Sequence, residues 1–273
     1  VPERGRRALR VAVGGLGAIG AVVARRLDAG IEGLELAAVA ARDAGRARER
    51  LRALRRPVPV LALDALAEHA DVVVECAPAS CFLDSAGPAI ELGRTLVPLG
   101  VGALLEHPEL IERARVTGAR IRVPSGALLG LDAVCAAAEG TIHSVTLITR
   151  KPPPGLAGAP FVLERGISLE GLERPLRLYA GSVREAVRGF PANLNVAAAL
   201  SLAGIGAERT RIEVWADPGV TRNIHRIEVL ADSARFTLCI ENLPSEENPR
   251  TGRITALSVI ATLRALAAPL ALC

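Results

Sequence analysis

The chain has 273 residues, half of them apolar, enough to bury the core of one large domain or two ordinary ones, and two are expected. No apolar run reaches the roughly 18 residues of a membrane span, and the basic start, Val1 to Arg10, leads into a strand without a signal-peptide core, so a soluble, cytoplasmic protein with no membrane partner is expected. A formal charge of +4 with basic residues spread along the chain, and aromatics at only 2%, argue against a nucleic-acid partner and suit anionic small molecules better.

The first predicted strand, Leu9 to Gly14, delivers straight into Gly15-Leu16-Gly17-Ala18-Ile19-Gly20 and then into a helix ending at Asp28. A strand, a Gly-x-Gly-x-x-Gly turn and a helix in that order make a dinucleotide site. Gly15 permits the tight turn, Gly17 lets the backbone approach a pyrophosphate, and Gly20 lets the helix pack closely on the strand. The phosphates belong at the helix N-terminus, where N–H groups and the dipole favour negative charge. Gly15, Gly17, Ala18, Ile19 and Gly20 are therefore cofactor-binding candidates.

Alternation of strand and helix then continues: strand Leu34 to Ala41, helix Ala44 to Leu54, strand Val58 to Leu61, helix Leu63 to Glu68, strand Asp71 to Cys76, helix to Leu92, strand Arg94 to Pro98, helix Pro108 to Thr117 and strand Arg120 to Val123. Short apolar strands alternating with helices predict an α/β Rossmann fold, a doubly wound parallel sheet. At the end of the second strand, Ala41-Arg42-Asp43 stands where NAD-preferring sites usually place an acid on the ribose. Arg42 suits a 2′-phosphate and Asp43 still reaches a ribose, so the cofactor is NAD or NADP with a lean toward NADP; a solvated Arg-Asp pair is the competing reading.

After Pro124 the character changes. Thr141 to Arg150, Arg211 to Ala216, Ile224 to Leu230 and Ala234 to Glu241 read as longer strands with polar alternation, flanked by helices Asn195 to Ala203 and Gly252 to Ala267. A second, α+β domain with a mainly antiparallel sheet is expected over 126–244, with the first domain covering 1–125 and completed by the terminal helix within 245–273.

Cys76, Cys81, Cys135, Cys239 and Cys273 are scattered, with no Cys-x-x-Cys pair and no histidine at ligand spacing, so structural thiols and no metal are expected. Lys151 is the only lysine; the other 32 of 33 basic residues are arginine. Among four histidines, His69, His107 and His143 read as surface or structural. His225 stands at a loop-to-strand entry that can aim it into a cleft, and imidazole is a natural group to take a proton while hydride leaves, a structural histidine being the alternative. Asn195 is a candidate helix N-cap whose amide also suits a cofactor.

Taken together, the glycine fingerprint, Pro124-Ser125-Gly126-Ala127 with Gly130-Leu131-Asp132, Thr149-Arg150-Lys151-Pro152-Pro153, the asparagine-rich helix entry Phe190 to Ala198, Asn223-Ile224-His225 and Glu247-Asn248-Pro249 resemble the L-aspartate dehydrogenase family. The resemblance covers nearly the whole chain in order. It implies a Rossmann domain plus an α+β catalytic and dimerisation domain, a homodimer, NAD(P) contacts at Ala127 and Asn195, and His225 as the catalytic residue. The family often has an acid where this chain has Ala41 followed by Arg42.

The implied reaction oxidises L-aspartate to iminoaspartate, which hydrolyses to oxaloacetate and ammonia; the reverse is reductive amination, and iminoaspartate is a precursor of the pyridine ring of NAD. His225 would act as general base. Two substrate carboxylates need cationic partners, for which Arg150 and Lys151 are the candidates, with Asn193 a third substrate-binding candidate. The rivals are a homoserine dehydrogenase or dihydrodipicolinate reductase of the same architecture, and a non-catalytic NAD(P)H-binding sensor.

Overall fold

A computed structural model describes residues 7–191, 194–245 and 251–271. The chain divides into two compact units, Val1–Pro124 with Ala256–Cys273, and Ser125–Thr255.

In the first unit, strands β1 (Leu9–Gly14), β2 (Leu34–Ala40), β3 (Val60–Leu61), β4 (Val72–Glu75), β5 (Thr95–Pro98) and β6 (Arg120–Ile121) alternate with helices α1 (Gly20–Asp28), α2 (Ala44–Leu51), α3 (Leu66–His69), α4 (Phe82–Glu91), α5 (Val101–Glu106) and α6 (Glu109–Thr117). The six strands form one sheet in the order β3-β2-β1-β4-β5-β6, every pair parallel. Two-residue alternation splits its side chains into two cores. Val11, Val13, Val39, Val72, Val74 and Val97 pack under α1 through Val23, Ala24 and Leu27, whereas Ala12, Ala38, Val73 and Leu96 face Leu66, Phe82, Ile90 and Leu104. The helix α11 (Arg253–Ala267) returns to the first of these cores through Val259, Ile260 and Leu263. This is the expected doubly wound Rossmann architecture, and its chain order turns back between β1 and β4. Ligands of such sheets bind at that switch point, outside the carboxyl ends of the strands.

The second unit holds α7 (Leu131–Ala138), β7 (Ile142–Lys151), α8 (Pro160–Glu164), β8 (Leu176–Ser182), α9 (Val183–Gly189), α10 (Asn195–Ala203), β9 (Arg211–Ala216), β10 (Asn223–Ala231) and β11 (Arg235–Asn242). Its sheet runs β11-β10-β7-β9-β8. Three neighbouring pairs are antiparallel and β7 lies parallel to β9, so the sheet is mixed. On β7, Val145, Leu147, Thr149 and Lys151 are buried while Thr146, Ile148 and Arg150 are only half-buried; β10 alternates in step, burying Asn223, His225, Ile227 and Val229. One face of the sheet is thus a core face, and the other is open.

Candidate functional site

The first unit offers a dinucleotide cradle at the carboxyl ends of β1 and β4. Gly15 turns with φ +113°, and a Cβ there would lie 2.7 Å from the Cys76 carbonyl oxygen. Only glycine fits both the conformation and the space. A Cβ on Gly20 would run into the Gly15 carbonyl, so that glycine lets α1 start against the turn. Gly17 is exposed with no heavy atom within 4 Å of where a Cβ would stand, which leaves room for a ligand to approach the backbone. Ala18 and Ile19 are half-buried, and α1 begins after Ile19 with no side-chain cap and no acid in its first turn. The residues present therefore fit a pyrophosphate at this turn.

Beside the cradle, Ala41 is half-buried and Arg42 and Asp43 are exposed, just past the end of β2. The Arg50 guanidinium on α2 donates to the Leu16 carbonyl of the turn, a contact that no sequence pattern announces. Glu75 was also missed. It ends β4, wholly buried, its Oε2 accepting from the Gly100 N–H at 2.8 Å and the Leu99 N–H at 3.2 Å, while Oε1 is buried with no hydrogen bond. Burial pushes its carboxyl up to about 7 against the pull of these N–H donors. The signal was present in Val72-Val73-Val74-Glu75, an acid closing an otherwise apolar buried strand.

In the second unit the core face of the sheet turns polar at one end. His225 and Thr149 are paired residues of β10 and β7, with His225 Nδ1 and Thr149 Oγ1 3.1 Å apart. Lys151 follows Thr149 by two residues and so shares its face; it is 3% exposed, as is His225. Asn223, also buried, precedes His225 by two and pairs with buried Asn242 on β11, whose Nδ2 donates to the Ala127 carbonyl at 2.9 Å. Burial lowers Lys151 to about 8. Burial, and after it the Lys151 charge, lower His225 to about 3. Both causes hold the His225 imidazole in its neutral form.

The structure separates the two cations that were expected to act together. Arg150 projects to the opposite face from Lys151, pairs with Asp217 at 3.1 Å and stacks over Trp215 with its guanidinium carbon 4.8 Å from the ring centroid. Adjacent strand residues point to opposite faces, so a Arg-Lys dipeptide on β7 does not present both heads to one ligand. Asn195 also departs from expectation. The helix starts one residue earlier, with Leu194 as its cap residue and the N–H groups of Ala197 and Ala198 donating to the Leu194 carbonyl. Leu194 is 1% exposed, and burying that side chain outweighs the capping preference of asparagine, which becomes the first residue of α10. Ala127 is buried. Asn193 and Glu247 to Pro249 lie outside the described residues.

His69 and His143 are exposed, and His107 stacks on Phe82 and bonds Glu109. Cys76, Cys81, Cys135 and Cys239 are free thiols. Among the described residues, no group of three His, Cys, Asp or Glu is placed to hold a metal, and no helix is long and apolar enough to cross a membrane.

Comparison with known proteins accounts for both units. The family model described as aspartate dehydrogenase, C-terminal, matches residues 132–266, and that of the homoserine dehydrogenase NAD binding domain matches 15–124. The L-aspartate dehydrogenase of Bradyrhizobium diazoefficiens is 58% identical over 256 residues, covering 94% of this chain and 91% of that protein. The chain belongs to the aspartate dehydrogenase family. L-aspartate dehydrogenase 3 of Bordetella bronchiseptica is 56% identical, with 97% of each chain covered. Among solved structures, the aspartate dehydrogenase of Thermotoga maritima has the same fold at a TM-score of 0.74 and 22% identity, covering 98% of this chain and all of that one. Membership makes this chain an oxidoreductase that uses a nicotinamide cofactor on a small-molecule substrate. The homoserine-type match is confined to the dinucleotide-binding half, and the second half matches aspartate dehydrogenase.

Proposed function

We propose that this protein is an NAD(P)-dependent L-aspartate dehydrogenase, converting L-aspartate to iminoaspartate, which hydrolyses to oxaloacetate and ammonia, and running the reverse reductive amination. The observation that carries the reading is the polar end of the second sheet's core face, where Thr149, Lys151, Asn223 and His225 gather among apolar neighbours. Buried polar groups of this kind are costly to a fold and are kept where chemistry uses them.

In this reading the Gly15 to Gly20 turn binds the pyrophosphate, with Ala127 and Asn195 as further dinucleotide contacts. The nicotinamide ring, when bound, supplies the acceptor for the hydride from Cα. Thr149 fixes the rotation of the His225 ring through Nδ1, so the imidazole meets the substrate through Nε2, where it acts as general base. Lys151 is the cation on that face. Arg150, held by Asp217 and Trp215, acts on substrate only by leaving both.

Arg42, with Ala41 unable to accept from a ribose diol, favours NADP(H). A homodimer and delivery of iminoaspartate to pyridine-ring synthesis complete the proposal. The test is oxidation of NADPH and of NADH with oxaloacetate plus ammonium, alongside homoserine and diaminopimelate-pathway substrates. Turnover that requires both oxaloacetate and ammonium is expected. Turnover only with another substrate would favour a related reductase, and tight dinucleotide binding with no turnover would favour a sensor.

A further inference from the structure

Strand β11 lies at the edge of the second sheet, and its side chains run exposed and half-buried in turn until the last, Asn242, which is buried. An amide placed there costs free energy unless it is bonded. Its Nδ2 donates to the Ala127 carbonyl at 2.9 Å, a partner 115 residues away in the chain.

That bond lands on a turn with few means of holding itself. Ser125-Gly126-Ala127-Leu128 closes through the Leu128 N–H on the Ser125 carbonyl at 3.1 Å, with Gly126 at φ +65°, and its first three residues carry only a hydroxymethyl, a hydrogen and a methyl. The peptide between Ala127 and Leu128 is therefore pinned at both ends, its N–H by Ser125 and its C=O by Asn242. At Gly126 no heavy atom lies within 4 Å of where a Cβ would stand, so the turn keeps an open side on which a flat ligand can reach backbone.

Asn242 is itself held in place. Gly252 packs against it so closely that a Cβ there would stand 3.1 Å from the Asn242 Cβ. Gly252 in turn is fixed where the Ser245 N–H bonds the Thr251 carbonyl at 2.7 Å and the Arg253 N–H bonds the Leu243 carbonyl at 2.9 Å. Across the ladder Asn242 pairs with Asn223, two residues before His225 on β10. Both asparagines and the histidine thus share one face, with His225 about 7 Å along the strand from Asn223. The Ala127 turn is tied to the face that carries the general base.

We propose that Asn242 is a positioning residue for the nicotinamide: by holding the Ala127 carbonyl it fixes the turn against which that ring rests, and with it the ring's place relative to His225. The inference rests on the proposed role of Ala127 as a dinucleotide contact. It predicts that Asn242 acts on the nicotinamide half of the dinucleotide and not on the half that carries the adenosine.

The test compares calorimetric affinities of NADH and NADPH with those of ADP-ribose and 2′-phospho-ADP-ribose, the same molecules without nicotinamide. Asn242→Asp keeps the shape of the side chain and, as a carboxylate, has no N–H to give. It is expected to weaken the dinucleotide about 10-fold and to leave the matching fragment within about twofold. Gly252→Ala leaves the amide in place but crowds it; a smaller selective loss, about threefold, is expected, and this variant carries the test if Asn242→Asp does not fold. A purely structural asparagine would not change the ratio of dinucleotide to fragment affinity. Equal weakening of both ligands, or no weakening of either, overturns the proposal. Ala127→Val, which adds bulk at the contact itself, tests the reading beneath it. Selective loss there beside none at Asn242 leaves the contact standing and refutes the proposal alone, whereas no selective loss at Ala127 refutes both.

Discussion

Glu75→Gln is expected to make the protein more stable at pH 8 and to leave its stability nearly unchanged near pH 4.5. The carboxyl at the end of β4 is wholly buried, and its two N–H donors at Leu99 and Gly100 do not offset the loss of water, so it is raised from 4.5 to about 7. A raised folded value means that the stabilising form is the neutral acid. Its contribution is complete below about 4.5, where the unfolded chain is protonated too, and is lost as the pH climbs through 7. At about 1.4 kcal/mol per pH unit across that interval, the loss comes to about 3 kcal/mol. Glutamine does not titrate and still offers an oxygen to both N–H groups. Urea unfolding of both proteins from pH 4.5 to 8 isolates this one group, because His225, Lys151 and all other titrations cancel in the difference. The expected difference grows from under about 1 to about 3 kcal/mol in favour of glutamine. A difference independent of pH would refute the raised carboxyl. A variant less stable than the parent at pH 8 would show that the bonds to Leu99 and Gly100 outweigh burial of the charge.

His225→Ala is expected to lower kcat by about 100-fold or more with dinucleotide affinity nearly unchanged, since a buried hydrogen-bonding group at the reacting atoms is lost; steady-state kinetics beside His143→Ala, an exposed control, checks this, and an unchanged kcat removes His225 from the mechanism. Gly17→Val should abolish NAD(P)H binding in a titration without lowering the unfolding temperature, because the space around Gly17 is open. Gly15→Ala should instead destabilise the fold by about 1–3 kcal/mol, since it strains a φ of +113° against the Cys76 carbonyl. Arg42→Ala should weaken NADP(H) by about 1–3 kcal/mol and leave NAD(H) within a few-fold, as expected for loss of a charge-assisted bond to a 2′-phosphate. Equal weakening of both dinucleotides would show Arg42 acting on the fold or the adenine.

The first unit was legible because its signals are local. Buried parallel strands such as Val11-Ala12-Val13 and Val72-Val73-Val74 are continuous apolar runs, and the structure places strands there, with ends shifted by one or two residues. Helices α5, α7, α8 and α9 and strand β8 were not foreseen. Helix α5, Val-Gly-Ala-Leu-Leu-Glu, is a single short turn region beginning beside the Glu75 clamp at Gly100, and β8, Leu-Arg-Leu-Tyr-Ala-Gly-Ser, pairs along only one edge, with β9. Neither has a periodic run long enough to stand out from its loops.

The sequence by itself determined the glycine turn, the alternating strands and helices of the Rossmann unit and the chain's resemblance to its family, because these depend on backbone conformation and spacing within a few residues. It also placed His225 at a strand entry. Only the tertiary structure decided that Lys151 and not Arg150 shares the face of His225, that β9 lies parallel to β7, that Leu194 and not Asn195 caps α10, and that Glu75 is a buried, raised acid. Each of these turns on which face of an element is covered, and the groups that cover it come from chain segments tens of residues away.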